Sequence, residues 1–439
     1  MKNKISFFIS NLNMRDKFLI LSISLIPFAL AASIFVADLL ASLSSLILIY
    51  IFLKKQDLEL FQSIRKQIYF FLIFYLIILI SLVLTEYKNQ SFLASFFYFR
   101  YFFLSLALFY ILKKHEFFLT IFFYSLLISL SIVIIDGFIQ YFLGYNIFGY
   151  ARVEQGNGIL HYLSGFFNEE KKLGSYLVRF LPLMLGLIYL HRHKISPKVE
   201  LLFLILISVI IFLSSERTAF LLLLIIYFFY FLINTKRIFN LIYLLLILIC
   251  LFTFNKTLAL KYINFSLVQT GLITLFKDHQ QPPINKDIPR YYSVEHENLS
   301  YTGLVIFKNN ILFGSGVKTF FQKCNDLKPK YQYSGITKRN NRLVCSTHPH
   351  NTYVQILAEI GLFGFLLSIF MFTIALYNSF KIIFKKKRDS IYKAYFFVNL
   401  CFIINLMPLI PSGSFFNNWI SLILFFPLGF WLYLKNKLS

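Results

Sequence analysis

The stretch "STHPHNTYVQILAEIGLFG" (residues 346–364) sets His348 and His350, two of only eight histidines, beside the start of an apolar run. Imidazole takes up a proton near neutral pH, so either ring could serve as a base. A second polar interruption, "FLSSERTAFLLL", carries Arg217. Guanidinium binds phosphate oxygens bidentately, and fixed cations stabilise charge developing on a leaving group. A base beside fixed cations at one membrane surface fits transfer of a group from an anionic, membrane-bound carrier. Two plainer readings compete. His-x-His could belong to a metal site, which wants further ligands that the sequence does not place, or the pair could cap a helix and pack at the interface.

Other polar residues interrupt apolar runs and need a reason, because an intramembrane charge normally faces a cavity, a partner or an anionic ligand. Arg179 lies in "GSYLVRFLPLML" and Arg100 in "FFYFRYFFLSLALFY". A pair with Asp136 or with a carbonyl would make Arg100 structural. A pair with Glu216, or a snorkelling side chain, would do the same for Arg217. Glu359, about two turns into the span that follows the histidines, is placed to salt-bridge or orient an intramembrane Arg. Gly361 and Gly364 allow close helix approach. In "ILFGSGVKTF", Gly314, Gly316 and Lys318 precede a helix whose free N–H groups could hold phosphate, and a plain turn is the equal alternative. Cys324 and Cys345 flank a polar stretch and could pair if it faces an oxidising compartment.

The elements that must position these residues are helices in a membrane. Of 439 residues, 58% are hydrophobic and 20% aromatic, well above soluble domains, and apolar runs of about 18 residues or more recur throughout. The expected fold is all-α and polytopic, with about twelve spans, the fourth covering 91–112, and both termini inside. The basic N-terminus reads as a retained cytoplasmic tail. The formal charge of +24 is distributed over short connectors such as Lys54–Lys55, Lys113–Lys114 and Lys385–Arg388. That is the positive-inside pattern and leaves no broad basic surface for nucleic acid. "EYKNQ", "SSERT" and "PSGSFFNN" then face outward. Three regions follow: nine spans in residues 1–255, a large outer loop with short helices in 256–352, and three spans in 353–439. Within the loop, "YTGLVIFKNNIL" has helical spacing and "GSGVKTFFQK" follows a turn. A transporter is the rival class, but transporters usually carry repeats and a midplane site, whereas these polar residues gather at the outer surface.

The pattern His350–Asn351, nine residues, then Gly361-x-x-Gly364 resembles the His-[Asn/Ser/Gln]-x9-Gly-x-x-Gly signature of the O-antigen ligase and O-antigen polymerase superfamily. "LFGSGVKTF" is similar to that family's Pro-Leu-x-Gly-x-Gly-x-x-x-Phe, and "SSERTAF" to its Ser-x-Ser-Arg-[Gly/Thr] turn. The likeness covers roughly residues 200–375. It implies a GT-C-like architecture in the bacterial inner membrane and a metal-independent, cofactor-free inverting glycosyltransferase working on the periplasmic face. The donor would be an undecaprenyl-diphosphate-linked glycan. The acceptor would be lipid A core for a ligase, with a polymerase or a protein O-oligosaccharyltransferase as alternatives. By the same resemblance His350 is the general base and Arg217 holds the diphosphate. The family commonly has a second Arg about eighteen residues before Gly-x-Gly. That position here is His296, in "SVEHENL", so either His296 or the nearby Arg290 would make the second contact.

Overall fold

A computed structural model describes residues 12–155, 160–192, 195–234, 238–256, 258–260, 262, 294–332, 343–386 and 388–438. The described chain is helical apart from one short hairpin, in which β1 (Val153–Gln155) pairs antiparallel with β2 (Leu160–Tyr162). The helices are α1 (Met14–Ala32), α2 (Ile34–Leu53), α3 (Arg65–Leu84), α4 (Lys88–Phe96), α5 (Phe99–Lys114), α6 (Phe118–Leu143) and α7 (Leu173–Leu190). Then come α8 (Pro197–Leu213), α9 (Arg217–Ile233), α10 (Ile238–Phe254), α11 (Val294–Asn309), α12 (Phe320–Gln332), α13 (Thr352–Ile383), α14 (Ser390–Asn405) and α15 (Asn418–Leu438).

Among the described residues, seven helical stretches are long and apolar enough to cross a membrane. They are α2, Leu58–Leu84, Lys88–Lys114, α6, α7, α13 and α15. Shorter apolar helices accompany them at Arg217–Ile233, Ile242–Phe254 and Ser390–Asn405. The chain is a multi-pass membrane protein. Inside the bundle α7 packs along α14 and α15 along α5. α2 and α3 leave broad apolar faces outward, with Leu46, Leu72 and Leu76 exposed, as lipid-facing helices do.

The polar connectors sort to two ends. At one, buried Asp16 faces Arg15, Lys114 and His115, while Lys114 also reaches Asp57 and Lys437 pairs with Glu116. Arg192 pairs with Glu200 nearby in the chain, and Arg388 reaches the carbonyls that end α9. At the other end Lys323 of α12 pairs with Glu86, and Tyr87 bonds Asp326. The stretches that the charge pattern turned outward therefore share one end with the residues singled out above.

The fourth span, expected over 91–112, falls within Lys88–Lys114, a stretch long and apolar enough to cross a membrane, but that stretch is not one continuous helix. It breaks at Phe97–Tyr98, between α4 and α5. At the break the Phe97 carbonyl accepts from the Arg100 amide at 3.3 Å and from Arg100 Nη1 at 2.9 Å. Arg100 does not pair with Asp136 either. Its Nε and Nη2 meet Asp38 of α2 at 3.0 and 3.2 Å, while Asp136 accepts from the Ile147 amide and Asn146.

Candidate active site

α13 begins where it does because Asn351 caps it. Its Oδ1 accepts from the amides of Tyr353 and Val354 at 3.0 and 3.1 Å, and its Nδ2 donates to the Pro408 carbonyl. Such a cap satisfies amides that the first turn leaves open. The residue before it, His350, sits at φ +54, in the left-handed region that bulky side chains seldom adopt. Its surroundings hold it there. The His350 carbonyl accepts from Ser412 N at 2.8 Å, Thr352 Oγ1 meets Ser412 Oγ at 2.8 Å, and Gln355 takes Phe415 N and donates to Ser414 Oγ. The "PSGSFFNN" segment is thus laced to the first two turns of α13, and the imidazole is aimed by a backbone geometry that would be strained without it.

Three imidazoles meet at this point. The His348 ring centre lies 4.1 Å from that of His350, and His296, from the first turn of α11, lies 5.6 Å away. Burial, with help from His350, pushes the His348 ring down to about 4. Burial also lowers His350, opposed by the charge of Glu295, and lowers His296, assisted by His350 and Arg217. All three are neutral at pH 7, which is the state a base requires. His348 Nδ1 meets Thr347 Oγ1 at 3.0 Å, while its buried Nε2 has no hydrogen-bond partner.

Arg217 opens α9, within electrostatic reach of His296. Its neighbour Glu216, whose pairing would have made Arg217 structural, is directed elsewhere among the described residues. Ser215, at φ +60, turns the chain so that the Glu216 carboxylate accepts from Gly174 N, Ser175 N and Ser175 Oγ at 2.6, 2.9 and 2.7 Å, closing the N-terminus of α7. Arg179, six residues into α7, is buried and donates Nη1 to Asn405 of α14, leaving Nε unpartnered. It stays within electrostatic range of Glu216 but is not part of the histidine cluster.

The Gly-x-Gly turn is not an open phosphate cradle. Gly314 N donates to Asn310 O, Ser315 N to Ala358 O, and Gly316 N to Glu359 O, each at 2.9 Å. The Ala358 and Glu359 carbonyls lie at a kink in α13, where Gly361 leaves helical geometry (φ +71, ψ −165) and frees carbonyls for the turn. In return Leu362 N donates to Ile311 O at 2.8 Å. Gly361 therefore serves a helix break and not only close helix approach. Ser81 of α3 and Thr85, the residue that ends it, pin the same junction through Glu359 O and Ser315 O. Glu359 is fully buried and, among the described residues, forms no salt bridge with an intramembrane Arg; its Oε2 accepts from Gln355 at 3.2 Å.

A small second core underlies the cluster: Leu299, Val305 and Ile306 of α11 and Phe320, Cys324 and Leu327 of α12 pack with Leu343 and Ala358. Cys324 is disulfide-bonded to Cys345, five residues before His350. Val344 N donates to Thr302 of α11 at 3.0 Å. These ties fix the approach of His296 to His350. Arg290 lies outside the described residues. Glu295, Gln355 and Ser412 went unnoticed in the sequence, although "PSGSFFNN" had been placed on this side by its lack of basic residues.

Fold and site together define a multi-pass helical membrane protein with a neutral imidazole cluster and an arginine at one end of its bundle. Residues 202–369 match the family described as O-Antigen ligase, a stretch that runs from α8 through the kink of α13 and holds Arg217, His296, Gly314, Gly316, His348, His350 and Glu359. The match places an O-antigen ligase-type domain over this stretch of the chain. No curated protein matches it.

Proposed function

We propose that the protein is an inverting, metal-independent glycosyltransferase that moves a glycan from undecaprenyl diphosphate to an acceptor on the periplasmic face of a bacterial inner membrane. The observation that carries this reading is the gathering of His296, His348 and His350, held neutral by burial, within reach of Arg217. His350 accepts the proton of the acceptor hydroxyl as its oxygen attacks the anomeric carbon. The carbon–oxygen bond to the diphosphate breaks on the opposite face, and undecaprenyl diphosphate departs with the electron pair. Arg217 stabilises that charge, with His296 or Arg290 as a second contact. His348 and Asn351 orient the base, and Glu359, Gly314, Gly316 and Lys318 support the turn beneath it. Lipid A core is the acceptor we favour, which makes the protein a ligase; polymerase and protein O-oligosaccharyltransferase are the alternatives within the superfamily.

In this reading α1 to α3, the α4–α5 pair, α6 to α10 and α13 to α15 all cross the membrane, giving twelve spans and cytoplasmic termini. The three regions 1–255, 256–352 and 353–439 are a first membrane domain, a periplasmic module and a closing membrane segment. Purified protein supplied with lipid-linked glycan and lipid A core should form a new glycan linkage and release undecaprenyl diphosphate. Translocation of the intact donor without a new linkage would point to a transporter instead. A reporter fused after residue 300 should face the periplasm, and one fused after Lys387 the cytoplasm.

A further inference from the structure

A second polar site lies apart from the histidine cluster. Between α2, the α4–α5 break and the turn that ends at Lys318 there is a cavity of 520 Å³, with Asp38, Ser42, Arg100, Lys318 and Asn418 on its polar walls. Asp38 is largely saturated, since it accepts from Arg100 Nε and Nη2 and from Asn418 Nδ2. The five N–H groups of Arg100 are nearly used up as well: two go to Asp38, one to Tyr101 Oη and one to the Phe97 carbonyl. One N–H on Nη1 is left over.

Lys318 is the group that this arrangement leaves unanswered. Among the described residues its ammonium closes no hydrogen bond or ion pair, and the charges that act on it are those of Glu359, Arg100 and Asp38. Arg100 and Asp38 cancel one another, and Glu359 is not on the cavity wall. The residues on the cavity wall therefore sum to one positive charge, and among the described residues no acceptor on that wall meets the Lys318 ammonium; a cation at the edge of an apolar bundle normally faces a partner or an anionic ligand. Its mouth is apolar. Leu46 and Leu93 line it with 57% and 66% of their surface exposed, on an apolar outward flank of the bundle.

An occupant that satisfies both parts needs several acceptor oxygens, a negative charge and an apolar remainder. We propose that this cavity binds the phosphate of a membrane lipid, with Lys318 Nζ, the remaining Arg100 N–H and the second Asn418 amide proton as donors, and the lipid chains running out over Leu46 and Leu93. The site is coupled to the histidines from two sides. The turn that presents Lys318 docks on the kink of α13, and Asn418 follows the segment whose Ser412 holds His350. The inference rests on the cavity alone and stands whether or not the chain transfers glycans.

The test is lipid retention by the delipidated full-length protein in detergent, read by native mass spectrometry. The probes are phosphatidylglycerol, diacylglycerol of the same chains, and inorganic phosphate as competitor. Wild type and His350→Ala should both retain phosphatidylglycerol, because the histidines take no part. Lys318→Gln should retain it about tenfold less or weaker still, the scale of a charge-assisted hydrogen bond lost from a binding site. Ser42→Trp, which fills the cavity and keeps every charge, should show the same loss. Diacylglycerol should not be retained, and inorganic phosphate should not displace the lipid. Equal retention by wild type and both cavity variants would overturn the site. Equal retention of diacylglycerol would reduce it to an apolar groove, and displacement by inorganic phosphate would make it a free-anion site, either of which contradicts a lipid phosphate.

Discussion

Gly314 and Gly361 exclude side chains on each other's behalf. A Cβ at Gly314 would overlap the carbonyl group of Glu359, and one at Gly361 would overlap that of Leu312. Both residues also sit at positive φ, +69 and +71. The two glycine motifs, some forty-five residues apart, are the halves of one backbone junction that seats the turn between α11 and α12 on the helix carrying the candidate base.

Gly314→Ala and Gly361→Ala should each destabilise the protein by about 1–3 kcal/mol or more, the cost of a strained backbone conformation compounded by overlap with main chain. Gly413→Ala is the control, because the nearest atom to its Cβ is a side-chain carbon at 3.5 Å and its φ is ordinary. Thermal unfolding followed in detergent checks this. A Gly361→Ala protein that melts with wild type would mean that the junction is not built as described.

Burial sets the pH behaviour. A base works when neutral, and His350 is lowered from 6.5, so the acid limb of turnover should fall below pH 6.5. Glu295 opposes that shift, and Glu295→Gln should move the limb to still lower pH. Stability follows the same sign for His348. Its folded pKa, about 4, lies below its unfolded 6.5, so its contribution is complete above pH 6.5 and is lost as pH falls toward 4. A pH–rate profile of both proteins decides the matter, and a shift of the Glu295→Gln limb to higher pH would contradict it.

The disulfide joins residues 21 apart, and closing a loop of that size stabilises by about 3 kcal/mol in chain-entropy terms. Cys324→Ser and Cys345→Ser should lower the melting temperature alike, and the double variant should be no worse than either single one. Reductant should do the same to wild type and nothing to the variants. Alkylation of both thiols in untreated membranes would show that the bond is not formed.

Some of this was legible beforehand and some was not, for physical reasons. Charge at helix ends answers to the membrane, so basic connectors and polar outward stretches reveal the two ends without any knowledge of packing. The partner of Arg100 answers to which helices are neighbours, and Asp38, on a span adjacent only in three dimensions, has no local signal. Gly-x-Gly reads alike whether its amides face phosphate or a kinked helix. The choice was made by carbonyls that Gly361 releases, forty-seven residues after Gly314. The convergence of His296 on His350 likewise depends on a second core and a disulfide, and no spacing encodes it.

Arg217 offers a test of geometry against charge. Arg217→Lys keeps the cation but loses the planar fork, so transfer should remain impaired, by about tenfold or more if bidentate phosphate binding is at work. Comparing His296→Ala with Arg290→Ala shows which supplies the second contact: the variant with the larger rise in KM for the lipid-linked donor identifies it. Restoration of full activity by Arg217→Lys would reduce the arginine to a point charge.

The central claim is that His350 is the base. Its most direct test is glycan transfer in vitro by His350→Ala, compared with wild type at equal abundance and equal melting temperature. Turnover should drop by about a hundredfold or more, the scale on which a positioned base contributes, while His348→Ala, one step removed from the acceptor, should lose less. Full activity of His350→Ala would contradict the account and return the histidines of residues 346–351 to the packing of a helix cap.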